Sequence, residues 1–553
     1  MPNLSQEKRQ RMLAYLDKIK EEHKNNDEIL IALGEIENEL TSKKYGLVWE
    51  KHEEEVDRMM QDNIPVFTEI KEREIKATNE NSYNFLLEGD NLHSLKLLEK
   101  THAGKIDVIY IDPPYNTGNQ DFIYDDTFVD KTDGYSHSKW LSFMSERLEI
   151  AKRLLSDEGV IFISIDNNEL AQLKLLCDEI FGEANFIQNF KWNKTSTPPS
   201  LSLKTREKYE YVLCYEKNRT DIKYNGGYID GGDAPLLNSG NTIRKLTFDP
   251  KYVQFNIVGE YKSGKYGKVQ LLNDLIVQDG KANNTFSLLG EFKWTQERLD
   301  AEIKNGTYFI IKSNQFSIRF QRKQKAIKAP SDILTKTENG VDTNEQARKK
   351  LDELLPDNNM SYPKPVSLIK YLIRFNENGG KNATILDFFA GSGTTAQAVL
   401  ELNKEEGGNR KFILCTNNEN NICEEVTYER VKRVIHGYSD VEAIPANLKY
   451  FKTDFISKDA DDVSEELLSH IKEMVELENG ITLDNKHYFI VLSDEEADTL
   501  EKNWSNYEDV TAIYVSRNVL FTSEQNALFS NTEIHTIPDY YFEYELKEIG
   551  EIW

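Results

Sequence analysis

Cysteine and histidine are scarce in this chain, and neither is spaced as in a metal site or a disulfide framework. The four cysteines, Cys177, Cys214, Cys415 and Cys423, are scattered along 553 residues with no C-x-x-C pair. This pattern favours a reducing compartment over a disulfide-stapled fold. The nine histidines form no H-x-x-x-H pair, so we expect no metal ion in the mechanism.

Long apolar stretches and the phosphate-binding loop of ATPases are missing as well. The N-terminus MPNLSQEKRQRML lacks the apolar segment of a secretory signal. No uninterrupted apolar run reaches the length of a membrane span, and the loop G-x-x-x-x-G-K-[ST] does not occur. We therefore expect a cytoplasmic protein without membrane contact, and any ATP-dependent step would need a partner chain.

Negative charge dominates the chain, but it is unevenly distributed. The net charge is −26, yet residues 191–350 hold 28 Lys and Arg against 18 Asp and Glu, whereas residues 451–553 hold 7 against 24. Affinity for nucleic acid depends on local neutralisation of phosphates, so the basic segment keeps a nucleic-acid partner open. Its densest cluster comprises Arg322, Lys323, Lys325 and Lys328. This cluster weakens the alternative that the segment is only a solvated basic surface.

The alternation of element types predicts an α/β protein with an inserted domain. Strand-like and helix-like segments alternate from Tyr83 to Glu216 and again after Tyr362, which predicts a parallel sheet with late antiparallel strands. Between the last two strands lies the polar loop 193–209, and loops of this length are usually functional or mobile. We divide the chain into an N-terminal helical region 1–80, an α/β domain 81–217 and 355–445, an insert 218–354, and an acidic α/β domain 446–553.

The N-terminal region predicts two charged helices within residues 4–41, the second beginning at Asn26-Asp27. Their apolar residues recur every three or four positions, which suits one helix face. A small helical pair and a dimerisation arm explain this pattern equally well.

The first chemical motif is Asp112-Pro113-Pro114-Tyr115, which ends the apolar run of KIDVIYIDPPYNTG. The prolines fix φ and remove two backbone donors, so the strand must end in a rigid turn. Open α/β sheets bind ligands at such strand ends. A carboxylate accepts hydrogen bonds from an amino group, and an aromatic ring stacks on a base. An ordinary strand-to-turn junction explains these four residues equally well when they are considered alone.

The second motif follows another apolar strand, in ATILDFFAGSGTTAQAVLEL. Here Asp387, Phe389, Gly391 and Gly393 form a strand, glycine turn and helix start, with the helix beginning near Thr394. Glycines let the backbone approach a ligand closely, and the helix N-terminus presents free N–H groups. A lone G-x-G is most often a simple tight turn, but its position between a strand and a helix strengthens the prediction of a cofactor site.

Together, D-P-P-Y and the later F-x-G-x-G resemble the amino-group DNA methyltransferases of the β class, which use S-adenosylmethionine. Longer runs, among them YSHSKWLSFMSERL, GVIFISIDNNELAQLKLLCDEIFGEANFI and SYPKPVSLIKYLI, resemble the Mod subunits of Type III restriction-modification systems. The resemblance covers about residues 40–455. It implies a permuted Rossmann-like methyltransferase sheet with an inserted target-recognition domain over residues 193–354.

The resemblance also implies roles for single residues. Asp112 and the Pro113 carbonyl would accept hydrogen bonds from the adenine N6 amine, with Pro114 completing the turn and Tyr115 stacking on the extruded base. The residues expected at the cofactor are Asp90, Lys364, Ser367, Asp387, Phe389, Gly391, Gly393, Thr394 and Asn417. The strand KFILCTNNEN lacks the usual acid for the ribose, so Thr416, Asn417, Asn418 and Glu419 remain alternatives there.

The implied function is site-specific adenine-N6 methylation of double-stranded DNA by a homodimer with a separate Res subunit. N4-cytosine methylation is a close alternative, although Asp before Pro-Pro favours adenine in the family pattern. A specificity subunit without catalysis and a methyltransferase acting on RNA or protein are more distant alternatives. The recognition sequence cannot be read from these residues.

Overall fold

A computed structural model describes residues 4–24, 26–41, 49–118, 122–124, 127–129, 133–198, 204–229, 233–323, 326–356, 358, 360, 362–375 and 380–552. The N-terminal region contains α1 Leu4–Glu22, α2 Asp27–Thr41 and α3 Glu55–Asp62. The Asn26 side chain accepts a hydrogen bond from the Ile29 N–H at 3.2 Å, as a helix-capping residue does. The two predicted helices and the start of the second are confirmed.

The first half of the α/β domain alternates strands and helices as predicted. Its elements are β1 Asn63–Glu69, β2 Ile75–Lys76, β3 Tyr83–Glu88, α4 Asn91–His102, β4 Ile106–Ile111, β5 Ile123–Tyr124, β6 Thr127–Phe128, α5 Ser136–Leu154, β7 Leu155–Ile165, α6 Leu170–Cys177, β8 Phe186–Asn193 and β9 Tyr209–Glu216. The strand β4 is apolar and almost wholly buried, and it ends where Pro113 and Pro114 withdraw their backbone donors.

The inserted segment consists of short strands with few helices. Its elements are β10 Tyr228–Ile229, β11 Ala234–Pro235, β12 Ile243–Phe248, β13 Val253–Phe255, β14 Gly259–Tyr261, β15 Gly264–Tyr266, β16 Val269–Leu271, β17 Leu275–Gln278, β18 Lys281–Ala282, β19 Phe286–Glu291, α7 Gln296–Lys304, β20 Tyr308–Ile311, β21 Ile318–Gln321, β22 Ala326–Ile327, β23 Ile333–Leu334, α8 Lys336–Asn339 and α9 Asn344–Leu354. Residues between Leu236 and Phe320 enclose a hydrophobic core of their own.

The chain then returns to the α/β domain and ends in a small second sheet. The elements are α10 Val366–Ile373, β24 Thr384–Asp387, α11 Thr394–Glu406, β25 Lys411–Thr416, α12 Glu429–His436, β26 Asn447–Ser457, α13 Val463–Ser469, α14 Ile471–Asn479, β27 Tyr488–Val491, α15 Asp494–Asn503, β28 Ala512–Ser516, α16 Ser523–Leu528, β29 Glu533–Ile537 and α17 Asp539–Glu548. The strands β27, β28 and β29 form a parallel sheet.

The central sheet explains how two motifs that are distant in sequence reach one edge. Its strand order is β1-β26-β3-β25-β24-β4-β7-β9-β8-β23. The strands from β26 to β7 run parallel, and β9 is antiparallel to both β7 and β8. Because β4 and β24 are parallel neighbours, Asp112 and the glycine turn after Asp387 emerge at the same edge.

The structure corrects three of the expected domain boundaries. Residues 446–457 do not open the C-terminal domain, because β26 pairs along β3 and closes the otherwise free edge of the central sheet. Within the helical region 1–80, β1 pairs with β26. Within the insert, β23 pairs with β8 at the opposite edge. Long-range pairing of these three strands, which local sequence does not specify, places them in the central sheet.

The C-terminal residues pack on the central domain over a wide area. Helix α14 buries Ile471, Met474 and Val475 in the same core as α4 and β1, and the Tyr83 N–H donates to the Gly480 carbonyl at 2.8 Å. Lys100 of α4 pairs with Glu545 of α17 at 2.6 Å. None of the helices in the described part of the chain is both long and apolar enough to cross a bilayer.

Candidate active site

The carboxylate of Asp112 is held from two sides at the end of β4. The Tyr115 hydroxyl donates to Asp112 Oδ1 at 2.8 Å, and Lys364 Nζ lies 2.9 Å from both carboxylate oxygens. The Asp112 side chain is 29% exposed. The motif therefore presents an oriented carboxylate to a cleft. Lys364, which we expected at the cofactor, forms an ion pair with this carboxylate.

A second carboxylate, Glu210, lies behind this group at the start of β9. Its carboxylate accepts from the Tyr115 hydroxyl at 3.3 Å and from Lys194 Nζ at 3.1 Å, and it lies 3.5 Å from Lys364 Nζ. Burial disfavours the charged form, yet the ammonium groups of Lys364 and Lys194 outweigh it and lower the pKa of Glu210. Two carboxylates and two ammonium groups thus alternate in the order Asp112, Lys364, Glu210 and Lys194.

Lys364 is charged although it is almost fully buried. Burial works against its ammonium group, but the carboxylates of Asp112 and Glu210 outweigh burial and raise the pKa of Lys364. Its ammonium also lies 5.0 Å from the centre of the Tyr115 ring. The same surroundings keep the phenol neutral, because burial and the two carboxylates raise the pKa of Tyr115.

The turn itself is fixed by contacts from α5 and its neighbours. The Trp140 indole N–H donates to the Pro114 carbonyl at 2.7 Å, and Trp140 is fully buried. Asn116, at φ +55°, donates to the buried Glu169 at 2.6 Å. His137 Nδ1 lies 2.6 Å from the same oxygen. These contacts determine how the ring of Tyr115 faces the cleft.

The cleft in front of Asp112 has a volume of about 1380 Å³. Its wall combines the D-P-P-Y turn with both described ends of loop 193–209 and the start of α9. Basic side chains at its wall are Lys194, Lys204, Arg206, Arg348 and Lys364. The Asn344 N–H donates to the Lys194 carbonyl at 2.8 Å, so α9 and the loop meet directly.

The glycine turn begins with Asp387, whose carboxylate is used inside the turn. The Thr395 hydroxyl donates to Asp387 Oδ2 at 2.5 Å, and the Phe389 N–H donates to Oδ1 at 3.1 Å. Burial raises the pKa of Asp387 to about 7. Asp387 therefore shapes the turn, and its side chain is buried rather than presented to a ligand.

The two glycines allow a backbone that other residues adopt rarely. Gly391 and Gly393 have φ of +48° and +73°, in the left-handed region that glycine favours. A Cβ on Gly391 would meet only the Phe389 carbonyl oxygen, at 3.8 Å, so the turn is open on that side. A Cβ on Gly393 would lie 3.2 Å from the Thr427 side chain, so Gly393 serves close packing.

Arg430, which sequence reasoning missed, braces this turn from α12. Its Nη1 donates to the Ser392 carbonyl at 3.1 Å, the Ser392 hydroxyl at 3.0 Å and the Thr394 hydroxyl at 2.9 Å. The Thr394 hydroxyl in turn donates to the Lys364 carbonyl at 3.3 Å. Thr394 therefore connects the glycine turn to the lysine that holds Asp112.

The remaining predicted cofactor residues fall into two groups. Asp90 caps α4 by accepting from the Leu92 N–H at 2.7 Å, and its side chain remains 36% exposed beside the buried Arg147. Asn417 is exposed at the end of β25. Ser367, in contrast, accepts from the Asp342 N–H at 2.9 Å. The structure thus places the Ser367 hydroxyl against the segment before α9.

One member of the basic cluster after β21 forms an ion pair within the insert. Arg322 forms a two-fold ion pair with the buried Glu302, with distances of 2.9 and 2.7 Å. Arg322 thus has part of its charge balanced inside the protein, although its side chain is 40% exposed. Lys325 lies outside the described residues.

Comparison with known proteins agrees with this arrangement. A model of the DNA methylase family matches residues 106–428, from β4 to the segment before α12. This chain belongs to the DNA methylase family. The expected methyltransferase sheet, with the D-P-P-Y strand before the glycine-turn strand, is confirmed for this methylase.

The relatives of this DNA methylase include two Mod subunits. The StyLTI Mod subunit of a Type III enzyme from Salmonella typhimurium LT2 is 33% identical over 413 residues, which cover 67% of this chain and 60% of that protein. The EcoPI Mod subunit of Escherichia phage P1 is 31% identical over 533 residues, 85% of this chain and 79% of that protein. A solved structure, the PvuII DNA methyltransferase described as cytosine-N4-specific, matches 74% of this chain and 98% of that one with 13% identity and a TM-score of 0.34.

Glu210, Lys194 and Arg430 are the site residues of this methylase that sequence reasoning did not find. Glu210 and Arg430 contact partners 95 and 38 positions away, Lys194 contacts Glu210 16 positions away, and none of the three belongs to a short motif. A weak signal existed for Glu210, because a charged residue at the start of a strand that is otherwise apolar must either be exposed or find a partner.

Proposed function

We propose that this chain transfers a methyl group from S-adenosylmethionine to N6 of an adenine in double-stranded DNA, as the modification subunit of a Type III restriction-modification system. The observation that carries this proposal is the partly exposed carboxylate of Asp112, oriented by Tyr115 and Lys364 beside the glycine turn. An exocyclic amine is a hydrogen-bond donor, and this carboxylate is an acceptor with further lone pairs.

The residues of the glycine turn fit the proposed cofactor. The open side of Gly391 leaves room for a ligand against the backbone, and α11 begins directly after Gly393 with its N–H groups at that end. Asp90 offers a carboxylate that is 36% exposed, at the end of β3, which is separated from β24 by β25 in the parallel sheet. These residues would hold S-adenosylmethionine, which supplies an electrophilic sulfonium methyl group.

The reaction then requires positioning more than proton transfer. Asp112 and the Pro113 carbonyl accept hydrogen bonds from the amine and aim its lone pair at the methyl group, while Tyr115 stacks on the base. The amine loses one proton for each methyl group gained, and that proton leaves after transfer. Orientation of the reacting groups supplies most of the rate gain. The base must leave the duplex, because stacking hides N6.

The insert and the wall of the cleft are the proposed DNA contacts. Lys204 and Arg206 are exposed at the cleft that contains Asp112, and Arg348 reaches it from α9. Such side chains neutralise phosphates, and base edges would be read by the insert between residues 236 and 320.

The proposed assembly is a homodimer that works with a separate Res subunit in the cytoplasm. Apolar side chains on α1 and α2 support a second copy as partner, since Tyr15 and Ile31 are 65% and 66% exposed. Light scattering of the protein alone, and of a variant lacking residues 1–41, tests the dimer. A monomeric full-length chain would contradict it.

Mass analysis of nucleosides from DNA treated with the protein and S-adenosylmethionine tests the activity. We expect N6-methyladenine in the treated DNA and none in DNA treated without the cofactor. N4-methylcytosine in its place would show that the cleft takes cytosine, and the absence of both products would refute methylation of DNA by this chain. Sequencing of modified positions then gives the recognition site.

A further inference from the structure

The buried carboxylate of Glu210 has no role in the proposed function so far. We infer that Glu210 is a positioning residue for methyl transfer, which draws the Lys364 ammonium and the Tyr115 hydroxyl towards itself and so leaves Asp112 able to accept the target amine. This inference rests on the proposed function and adds to it a residue on β9, outside both sequence motifs.

Two protein donors already contact the carboxylate of Asp112. A carboxylate offers about four lone-pair positions, and Lys364 and Tyr115 already occupy part of them. The N6 amine needs at least one of the remaining positions, in a defined direction. Any contact that pulls the two protein donors away from Asp112 therefore favours the substrate.

Glu210 makes contacts of this kind with both donors. The Tyr115 hydroxyl lies 2.8 Å from Asp112 and 3.3 Å from Glu210, and Lys364 Nζ lies 2.9 Å from Asp112 and 3.5 Å from Glu210. Glu210 is therefore close enough to each donor to serve as its second acceptor. A small movement passes the hydroxyl or the ammonium from one carboxylate to the other.

Burial makes the charge of Glu210 matter. Glu210 is 7% exposed and Lys364 is 9% exposed, so water screens their attraction only weakly. When the charge on Glu210 is removed, Asp112 becomes the only anion beside Lys364 in this group. The ammonium then binds the Asp112 carboxylate more tightly and competes with the substrate amine.

The same carboxylate also contacts the loop that borders the cleft. Lys194, in the first part of loop 193–209, donates to Glu210 at 3.1 Å, and its carbonyl accepts from Asn344 of α9. Loop and helix both line the cleft. A shift of this loop changes the position of Lys194 and thereby the charge that faces Glu210.

The test compares Glu210→Gln, Lys364→Gln and the double variant with the unaltered enzyme. We expect Glu210→Gln to lower kcat by about 100-fold, the size of effect that misplaced reacting groups produce, with KM for DNA changed by less than about threefold. Because Lys364 is one of the two donors through which Glu210 acts, the double variant should lose less activity than the product of the two single losses.

A second readout separates positioning from collapse of the cleft. DNA with 2-aminopurine at the methylated adenine fluoresces when that base leaves the stack, and this base carries no amino group at position 6. We expect the fluorescence gain of Glu210→Gln to match that of the unaltered enzyme. Loss of the gain would show that Glu210 is needed to form the cleft, and would overturn the inference.

Glu476→Gln is the matched control, because Glu476 is buried like Glu210 and also pairs with two lysines, Lys449 at 2.7 Å and Lys472 at 3.7 Å. It lies in α14, away from the cleft, and should leave kcat unchanged. The inference is wrong if Glu210→Gln retains kcat within about twofold, if Glu476→Gln slows the reaction equally, or if the losses in the double variant multiply. If the unaltered enzyme fails to methylate adenine, the proposed function fails, and the inference fails with it.

Discussion

Replacement of Arg430 by methionine tests whether the glycine turn is the cofactor site. The guanidinium lies inside the protein and fixes the turn through Ser392, Thr394 and Gln397, at distances between 2.9 and 3.1 Å. Methionine fills similar space but donates no hydrogen bond. The variant therefore loosens the turn while leaving the strands on either side in place.

The expected loss of global stability is small, because two effects oppose each other. Burial lowers the pKa of Arg430 from 12.5 to about 10, which corresponds to about 3 kcal/mol against the charged form inside the protein. Removing the charge relieves that cost at neutral pH, where the group is protonated. The hydrogen bonds of two nitrogens, at about 1.5–3 kcal/mol each, are lost. The net destabilisation is therefore about 0–3 kcal/mol.

Cofactor affinity should respond more clearly than stability. Re-ordering one loosened turn residue on binding costs about 1–2 kcal/mol, which raises Kd about 5- to 30-fold. Calorimetric titration of the variant with S-adenosylmethionine measures this change. Arg374→Met is the control, because Arg374 is 39% exposed and pairs with Glu405 and Glu406 at the opposite end of α11. A folded Arg430→Met with unchanged Kd, or equal weakening by Arg374→Met, would refute the reasoning.

Three further predictions concern the D-P-P-Y turn, the buried charges and the sheet. Trp140→Phe removes the donor to the Pro114 carbonyl, so kcat should fall about tenfold with unchanged cofactor affinity; an unchanged kcat would contradict this role. In the native protein the lowered pKa of Glu210 stabilises the fold above its ordinary pKa of 4.5, and this contribution is lost as pH falls through the lowered value. Lys364→Met removes one ammonium partner of Glu210, so burial then raises the pKa of Glu210 and the charged carboxylate destabilises the fold. The melting temperature should therefore fall more at pH 8 than at pH 5, and equal falls at both pH values would exclude Glu210 as the cause. A chain ending at residue 445 lacks β26 and exposes the edge of β3, and it should aggregate in size-exclusion chromatography, whereas a monodisperse product would restore the original domain boundary.

Local sequence patterns were enough to predict many of the helices and strands. The strand β4 was predictable because an apolar run ends at two prolines, and α11 because a strand and a glycine turn precede it. The second N-terminal helix was predictable from its capping residue, Asn26. In each of these cases the determining residues are neighbours in sequence.

The remaining features depend on contacts that no local pattern encodes. Strand β26 could have belonged to the tail, and only its pairing with β3 places it in the central sheet. Lys364 reaches Asp112 across 252 positions. Local sequence gave no sign of this pairing with Asp112 or of the second pairing with the buried Glu210.

Methyl transfer by Asp112→Ala, measured with labelled S-adenosylmethionine on DNA that contains the mapped site, tests the central claim most directly. Alanine removes the acceptor while leaving β4, the prolines and the glycine turn in place. We expect kcat to fall by about 1000-fold or more, with cofactor affinity and the fluorescence of extruded 2-aminopurine retained. Transfer at the full rate by this variant would contradict the claim that Asp112 orients the target amine.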